Sequence, residues 1–152
     1  MSNDWKLTWN GKEIGEMAAK RLKVNAEKAA RMIEADIVRS LSVGQDAVRL
    51  KDGSLRGLDP SKPGQPPHLL EGHLRRSIDH RVEKHPKYID IFVIAGASYA
   101  RVLEYGGMSG KANIAARPFM RPALARNRDK AISMLVKNLF SRQGISDRRR
   151  RT

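Results

Sequence analysis

The feature that most constrains the fold is a long amphipathic stretch near the N-terminus, from about Gly11 to Leu41. Its apolar and small residues recur in steps of three and four, which places them on one face of a helix. These residues are Ile14, Ala18, Leu22, Ala26, Ala29, Ile33, Ile37 and Leu41. Because this stripe is rich in alanine, the predicted helix can approach a partner closely. That partner is either the sheet of its own domain or another subunit.

Two neighbouring segments in the middle of the chain predict an antiparallel β-hairpin. Tyr88 to Ala95 is the strongest strand candidate, since it is rich in β-branched and aromatic residues. Ile78 to Lys84 alternates loosely before it, and His85-Pro86-Lys87 suits the turn between them. Together with the first helix, this hairpin indicates an α+β domain with a small antiparallel sheet.

Two further helices are predicted after the hairpin. Tyr99 to Gly107 has the pattern of a short helix that is stopped by glycine, with Ser98 as its N-cap. The last helix is predicted to run from about Arg117 or Pro118 to Phe140, and its apolar stripe is interrupted at Arg128. Between the two, the glycines of 106–110 indicate a flexible turn.

Residues 43–71 and the C-terminal end contain no predicted long element. Glycine and proline recur throughout 43–71, with Val43 to Leu50 as a short strand candidate, so we expect a long surface loop. Loops of this length are usually functional or disordered, and one that orders only in an assembly satisfies both descriptions. We therefore expect a single domain over residues 1–144, followed by a disordered basic tail at 145–152.

The charge of the chain is its one unusual bulk property. The net charge is +14 over 152 residues, and residues 117–152 carry a net +9 of it. This field favours an acidic protein surface or nucleic acid as a partner. Arg148, Arg149, Arg150 and Arg151 are the candidate contacts for either one. No helix-turn-helix or zinc-finger pattern is present, and no apolar run approaches the roughly 20 residues that span a bilayer, so we expect no membrane contact.

No pattern in the chain predicts catalysis, a cofactor or a metal site. The four histidines, His68, His73, His80 and His85, lack the spacing that places two imidazoles on one ion, and the chain has no cysteine. Glu104 is a carboxylate without a second acidic residue or histidine at a telling distance. A structural carboxylate paired with Arg101 or Arg117 is the better interpretation.

Three blocks between residues 63 and 124 occur in an informative order. The first is Pro63-Gly64-Gln65-Pro66-Pro67 followed by Gly72-His73-Leu74-Arg75-Arg76-Ser77-Ile78; the second is Tyr99-Ala100 with Glu104-Tyr105-Gly106; the third is Arg117-Pro118-Phe119-Met120-Arg121-Pro122-Ala123-Leu124. In this order the chain resembles a tail-component family of long-tailed bacteriophages. Members of that family are tail-completion, neck or head–tail joining proteins.

The resemblance implies an α+β structural protein of the virion without catalytic activity. It implies a ring-forming subunit at the neck, whose partners are further copies of itself and tail-tube, tail-terminator or head-connector proteins. The implied location is the tail or neck of the particle and, during assembly, the cytoplasm of the bacterial host. The four terminal arginines are not part of the resemblance. A small basic nucleic-acid-binding protein that contacts DNA non-specifically through them is the alternative.

Physical reasoning gives the second and third blocks a role as a structural or subunit junction. The residues concerned are Tyr99, Glu104, Tyr105, Gly106, Arg117, Pro118, Phe119 and Met120. We expect the two tyrosines to bury their rings and Gly106 to end the short helix in a left-handed conformation. Phe119, Met120 and Leu124 should pin the last helix onto the sheet. The 43–71 loop and the first helix are the candidates for contacts between subunits.

Overall fold

Four helices and three antiparallel strand pairs form the fold of the described residues. The structure is a computed structural model that describes residues 11–42, 48–52, 55–56, 61–68 and 72–140. The helices are α1 (Gly11–Ser40), α2 (His73–Arg76), α3 (Ala100–Tyr105) and α4 (Met120–Val136). The strands are β1 (Val48–Arg49), β2 (Leu55–Arg56), β3 (Ile78–Lys84), β4 (Ile89–Ala95), β5 (Gly107–Ser109) and β6 (Ala112–Ile114), paired in that order two by two. The predicted α+β class is confirmed.

The predicted stripe of α1 forms the floor of the core. Its buried members are Ala26, Ala29, Ile33 and Ile37, and Leu41 is buried just beyond the helix. Ala30, which is not part of the predicted stripe, is buried too, whereas the stripe's first three members, Ile14, Ala18 and Leu22, are only half-buried. The small alanine side chains let other elements approach the α1 backbone closely, as the pattern predicts. None of the described helices is long and apolar enough to cross a membrane.

Strands β3 and β4 form the predicted hairpin, with Ile78 opposite Ala95 and Lys84 opposite Ile89. One face of the hairpin lies on α1, where Ile78 is buried and Val93 packs against the core. On the same face, His80 lies between two carboxylates of α1. Its Nδ1 is 2.5 Å from Glu34 Oε2, and its Nε2 is 3.4 Å from Glu27 Oε2. These contacts fix the hairpin across the middle of α1.

Helix α4 runs antiparallel to α1 and is tied to it near its middle and at its end. Near the middle of α4, the Asn127 side chain donates a hydrogen bond to Asp36 at 2.8 Å. At its end, the Asn25 side chain donates to the carbonyl oxygens of Leu135 and Lys137 at 3.1 and 2.9 Å. The helix ends at Val136, so the predicted end at Phe140 is wrong. Lys137 is extended with ψ 124° there, and the Asn25 amide takes up carbonyls that a longer helix would bond itself.

Two predicted loops contain strand pairs. The 43–71 region includes β1 and β2, which pair Val48 with Arg56 and Arg49 with Leu55. The predicted flexible turn at 106–110 is wrong, because β5 and β6 pair across the two-residue turn Gly110-Lys111. Gly110 has φ +60°, a conformation that glycine adopts at no steric cost. Residues 43–47, 53–54, 57–60 and 69–71 of the predicted loop and the predicted tail with Arg148–Arg151 lie outside the described residues.

Candidate functional site

The carboxylate of Glu104 caps the N-terminus of α4. It projects from the last turn of α3, and the residue is only 4% exposed. Its Oε2 accepts the backbone N–H groups of Phe119 and Met120 at 2.7 and 2.9 Å, and its Oε1 accepts that of Arg121 at 3.0 Å. The next residue, Pro122, has no N–H. The donors that an α-helix leaves unpaired in its first turn are therefore satisfied by one side chain from another helix.

The surroundings of Glu104 favour its charged form. Burial by itself raises the pKa of the carboxyl group. The backbone hydrogen bonds from Phe119, Arg121 and Met120, followed by the one from the Arg121 side chain, outweigh burial and lower the pKa below the ordinary value. The partial positive charge at the start of α4 acts in the same direction. The cap is therefore a carboxylate at neutral pH.

Arg121 is the cation that Glu104 contacts. Its Nε lies 3.1 Å from Glu104 Oε1, and its Nη2 donates to the Glu104 backbone carbonyl at 3.0 Å. The guanidinium also lies 4.7 Å from the centroid of the Tyr105 ring, in a cation–π arrangement. Arg121 therefore joins the end of α3 to the first turn of α4 by three separate interactions.

The predicted partners of Glu104, Arg101 and Arg117, are wrong. Arg117 donates its backbone N–H to the Leu103 carbonyl at 2.6 Å and its Nε to the Ser61 carbonyl at 3.1 Å. Arg101 is exposed on α3. Because Glu104 and Arg121 are 17 residues apart and the β5–β6 hairpin intervenes, sequence spacing gave no signal for their pairing.

Residues 61–67 cross the same junction as a strap. Gly64 donates its N–H to the Ala116 carbonyl at 2.8 Å, and Ser61 accepts the Arg117 side chain. Ser61 and Pro67 are both buried. No sequence signal marks Ser61, but the Pro63-Gly64 pair, with Gly64 at φ +84°, marks the turn that carries the strap.

Gly106 brings the end of α3 against the segment that leads into α4. Its N–H donates to the Val102 carbonyl at 2.8 Å. A Cβ atom at this position would lie 3.0 Å from the Ala116 nitrogen and 3.1 Å from the Ile114 oxygen. The predicted left-handed helical conformation is wrong in detail, because φ is 75° but ψ is 176°. Glycine is required both by this backbone conformation and by the close approach.

The apolar residues of the junction divide into buried and exposed groups. Phe119 is 1% exposed and belongs to the core, and Met120 is partly buried against it. Pro118, just before them, is half-buried. The prediction of buried tyrosine rings is wrong, since Tyr99 is 45% and Tyr105 62% exposed. Leu124, expected to pin the last helix, is 55% exposed and lies outside the core.

Two histidines of the described ranges, His80 and His85, make structural contacts. His80 bridges two carboxylates of α1, and His85 stacks on Tyr88 with ring centroids 4.4 Å apart. Within the ranges that the structure describes, no group of three or more His, Cys, Asp or Glu side chains is arranged to hold a metal ion. The carboxylate at the junction is occupied by four donors from α4. Its chemistry is that of a fixed hydrogen-bond acceptor.

Comparison of the chain with protein-family models, with curated proteins and with solved structures found no match.

Proposed function

We propose that this protein is a structural subunit of a phage particle that completes the tail or joins it to the head. The observation that carries the proposal is the convergence of the three resembling blocks on one junction. Gly64 of the first block bonds to Ala116, next to the third. Glu104 of the second block accepts three backbone N–H groups of the third. Blocks that are far apart in sequence thus act as one mechanical unit.

The contacts of the junction are those expected of a rigid structural domain. A buried carboxylate cap, a close glycine contact and a strap hold the start of α4 against α3, while side-chain bonds tie α4 to α1. Such an arrangement keeps exposed surfaces in a fixed relation. This relation is what a ring needs, because each subunit presents one surface to the next and the rotation must close. The first part of α1, where Val24 is 53% exposed, is one candidate surface.

Electron microscopy of particles made without this protein tests the proposal. We expect heads and tails that fail to join, or tails whose ends are not completed. Supplying the wild-type chain should restore joined particles. Supplying a Glu104→Ala variant should restore joining less well than a Glu16→Ala variant, which alters an exposed carboxylate of α1. Normal, joined and infectious particles in the absence of the protein would refute the proposal.

A second candidate function is non-specific DNA binding, which the net charge of +14 favours. Phosphate contacts release counterions, so DNA affinity should fall steeply with salt. Deletion of Arg148–Arg151 should then weaken binding strongly. Absence of DNA binding by the full chain, with particle assembly intact after the deletion, would exclude this function.

A further inference from the structure

An apolar groove of about 580 Å³ separates β4 from α4. Its floor is α1, which contributes Ala29, Ile33 and Ile37, three buried members of the core. Its walls keep large apolar side chains in contact with water, since Leu124 is 55% and Ile132 49% exposed. Exposed apolar area next to a core usually marks an interaction surface.

The β4 wall of the groove is the free edge of a strand. Three consecutive residues, Ile91, Phe92 and Val93, line the groove. Successive side chains of a strand point to opposite faces, so three in a row can border one groove only along the strand's edge. The opposite edge is paired with β3, and within the described ranges β4 has no second neighbouring strand. A free edge of seven residues offers backbone donors and acceptors to an added strand.

The α4 wall of the groove carries an arginine in an apolar row. Arg128 lies one helical turn from Leu124 and one turn from Ile132, and all three line the groove. Arg121, whose side chain is 58% exposed and is paired with Glu104, lines it too, whereas no Asp or Glu of the described ranges does. The Arg128 side chain forms no hydrogen bond or ion pair within the described part of the chain. A partner that covers this wall would remove water from the Arg128 guanidinium. This desolvation is costly unless the partner brings a carboxylate to pair with the guanidinium.

We propose that the groove binds an extended, acidic segment of a partner protein as a third strand on β4. Alternate side chains of the segment are apolar and fill the groove over α1, and a carboxylate faces Arg128. The free strand edge selects an extended backbone, and Arg128, which is not paired with a carboxylate within the described ranges, selects negative charge. Among the described residues, Phe92 is the only aromatic side chain that lines the groove, so the described lining gives nucleic-acid bases no stacking platform. This binding mode does not depend on the virion role.

A pair of synthetic peptides tests the proposal on the full chain. One is a ten-residue peptide that alternates valine with glutamate, and the other has lysine in place of every glutamate. We expect the glutamate peptide to shift the backbone amide resonances of Ile89–Ala95 and to slow their hydrogen exchange, and the lysine peptide to do neither. Arg128→Glu should weaken binding by about tenfold or more, since it opposes a carboxylate with like charge. Lys130→Glu, the same change of charge at an exposed α4 residue outside the groove, should leave binding within about twofold.

Several results would overturn the proposal. Equal weakening by Arg128→Glu and Lys130→Glu would mean that the peptide senses only the overall positive field. Binding of the glutamate peptide without any change at the β4 amides would place it elsewhere. Failure of this peptide to bind at all would also refute the proposal, as would peptide-free, concentration-dependent shifts of the β4 amides, which would assign the groove to a second copy of this chain.

Discussion

The Glu104 carboxylate and the Phe119 backbone N–H form a buried hydrogen bond of 2.7 Å that links two helices 15 residues apart in the chain. Phe119 itself is 1% exposed and anchors the start of α4 in the core. A position that usually needs a Ser, Thr, Asp or Asn side chain is thus occupied by phenylalanine, because a carboxylate from α3 provides the cap. The core and the junction are therefore stabilised together.

Removal of the Glu104 carboxylate should destabilise the domain substantially. Glu104→Ala leaves three backbone N–H groups at the start of α4 without their acceptor, and we expect a loss of about 3 kcal/mol in the free energy of unfolding. Glu104→Gln keeps an acceptor oxygen but not the charge, so its loss should be smaller. Urea unfolding measures both, with Glu16→Ala as the exposed control. A loss below about 0.5 kcal/mol for Glu104→Ala, the range of ordinary surface changes, would contradict the capping role.

The Glu104 cap should also make the stability of the fold depend on pH. Because the folded-state pKa of Glu104 is lowered from its ordinary value of 4.5, its contribution is fully present above that value and is lost as the pH falls through the folded-state pKa. The difference in melting temperature between the wild type and Glu104→Gln should therefore be constant near neutral pH and shrink below about pH 4.5. A difference that stays the same down to pH 2 would show that the charge of Glu104 plays no part.

Gly106 should not tolerate a side chain. Gly106→Ala would force a Cβ to within 3.0 Å of a backbone nitrogen at φ 75°, so we expect a loss of about 2 kcal/mol or more. Gly15 is the matched control, since it lies within α1 with nothing within 4 Å of the Cβ position. Gly15→Ala should stabilise by about 0.5–1 kcal/mol through helix propensity. Equal effects of the two substitutions would contradict this account of the junction.

The last turn of α4 should depend on Asn25. Asn25→Ala removes the donor to the Leu135 and Lys137 carbonyls, and we expect a loss of about 1 kcal/mol. Faster hydrogen exchange should be confined to the C-terminal end of α4. Lys28→Ala, an exposed change one turn further along α1, is the control. Uniform acceleration across α4, with its start included, would show that Asn25 acts on the whole helix rather than on its end.

Local sequence patterns predicted the main helices and the β3–β4 hairpin, because the spacing of apolar residues along an element follows from which of its faces is buried. The α1 stripe and the β3–β4 hairpin could be identified in this way: Ile33 and Ile37 repeat at helical spacing, and Tyr88 to Ala95 is rich in strand-forming residues. The end of α4 could not be identified in this way. The residues from Lys137 to Phe140 are compatible with a helix, but the side-chain amide of the distant Asn25 bonds to the Lys137 carbonyl, where the helix has ended. Strand pairing at β5–β6 was missed because its three-residue strands are too short to show alternation.

Some residues of the junction, Glu104 and Phe119 among them, were singled out from the sequence, but their contacts were not predicted. Glu104 was assigned a structural role from the absence of a catalytic partner, yet its cation, Arg121, was missed. The pairing depends on how β5 and β6 fold the chain back between α3 and α4, which no spacing rule encodes. The tyrosines were misjudged for a similar reason, because Tyr105 covers the Arg121 guanidinium and stays 62% exposed.

The most direct test of the proposed virion role is the location of this protein in purified particles. Particles treated with DNase and washed at high salt should retain the protein in multiple copies, and electron microscopy with a label on the chain should place it at the head–tail junction. Loss of the protein from joined particles under this treatment, or its removal together with the DNA, would contradict a structural role at the neck.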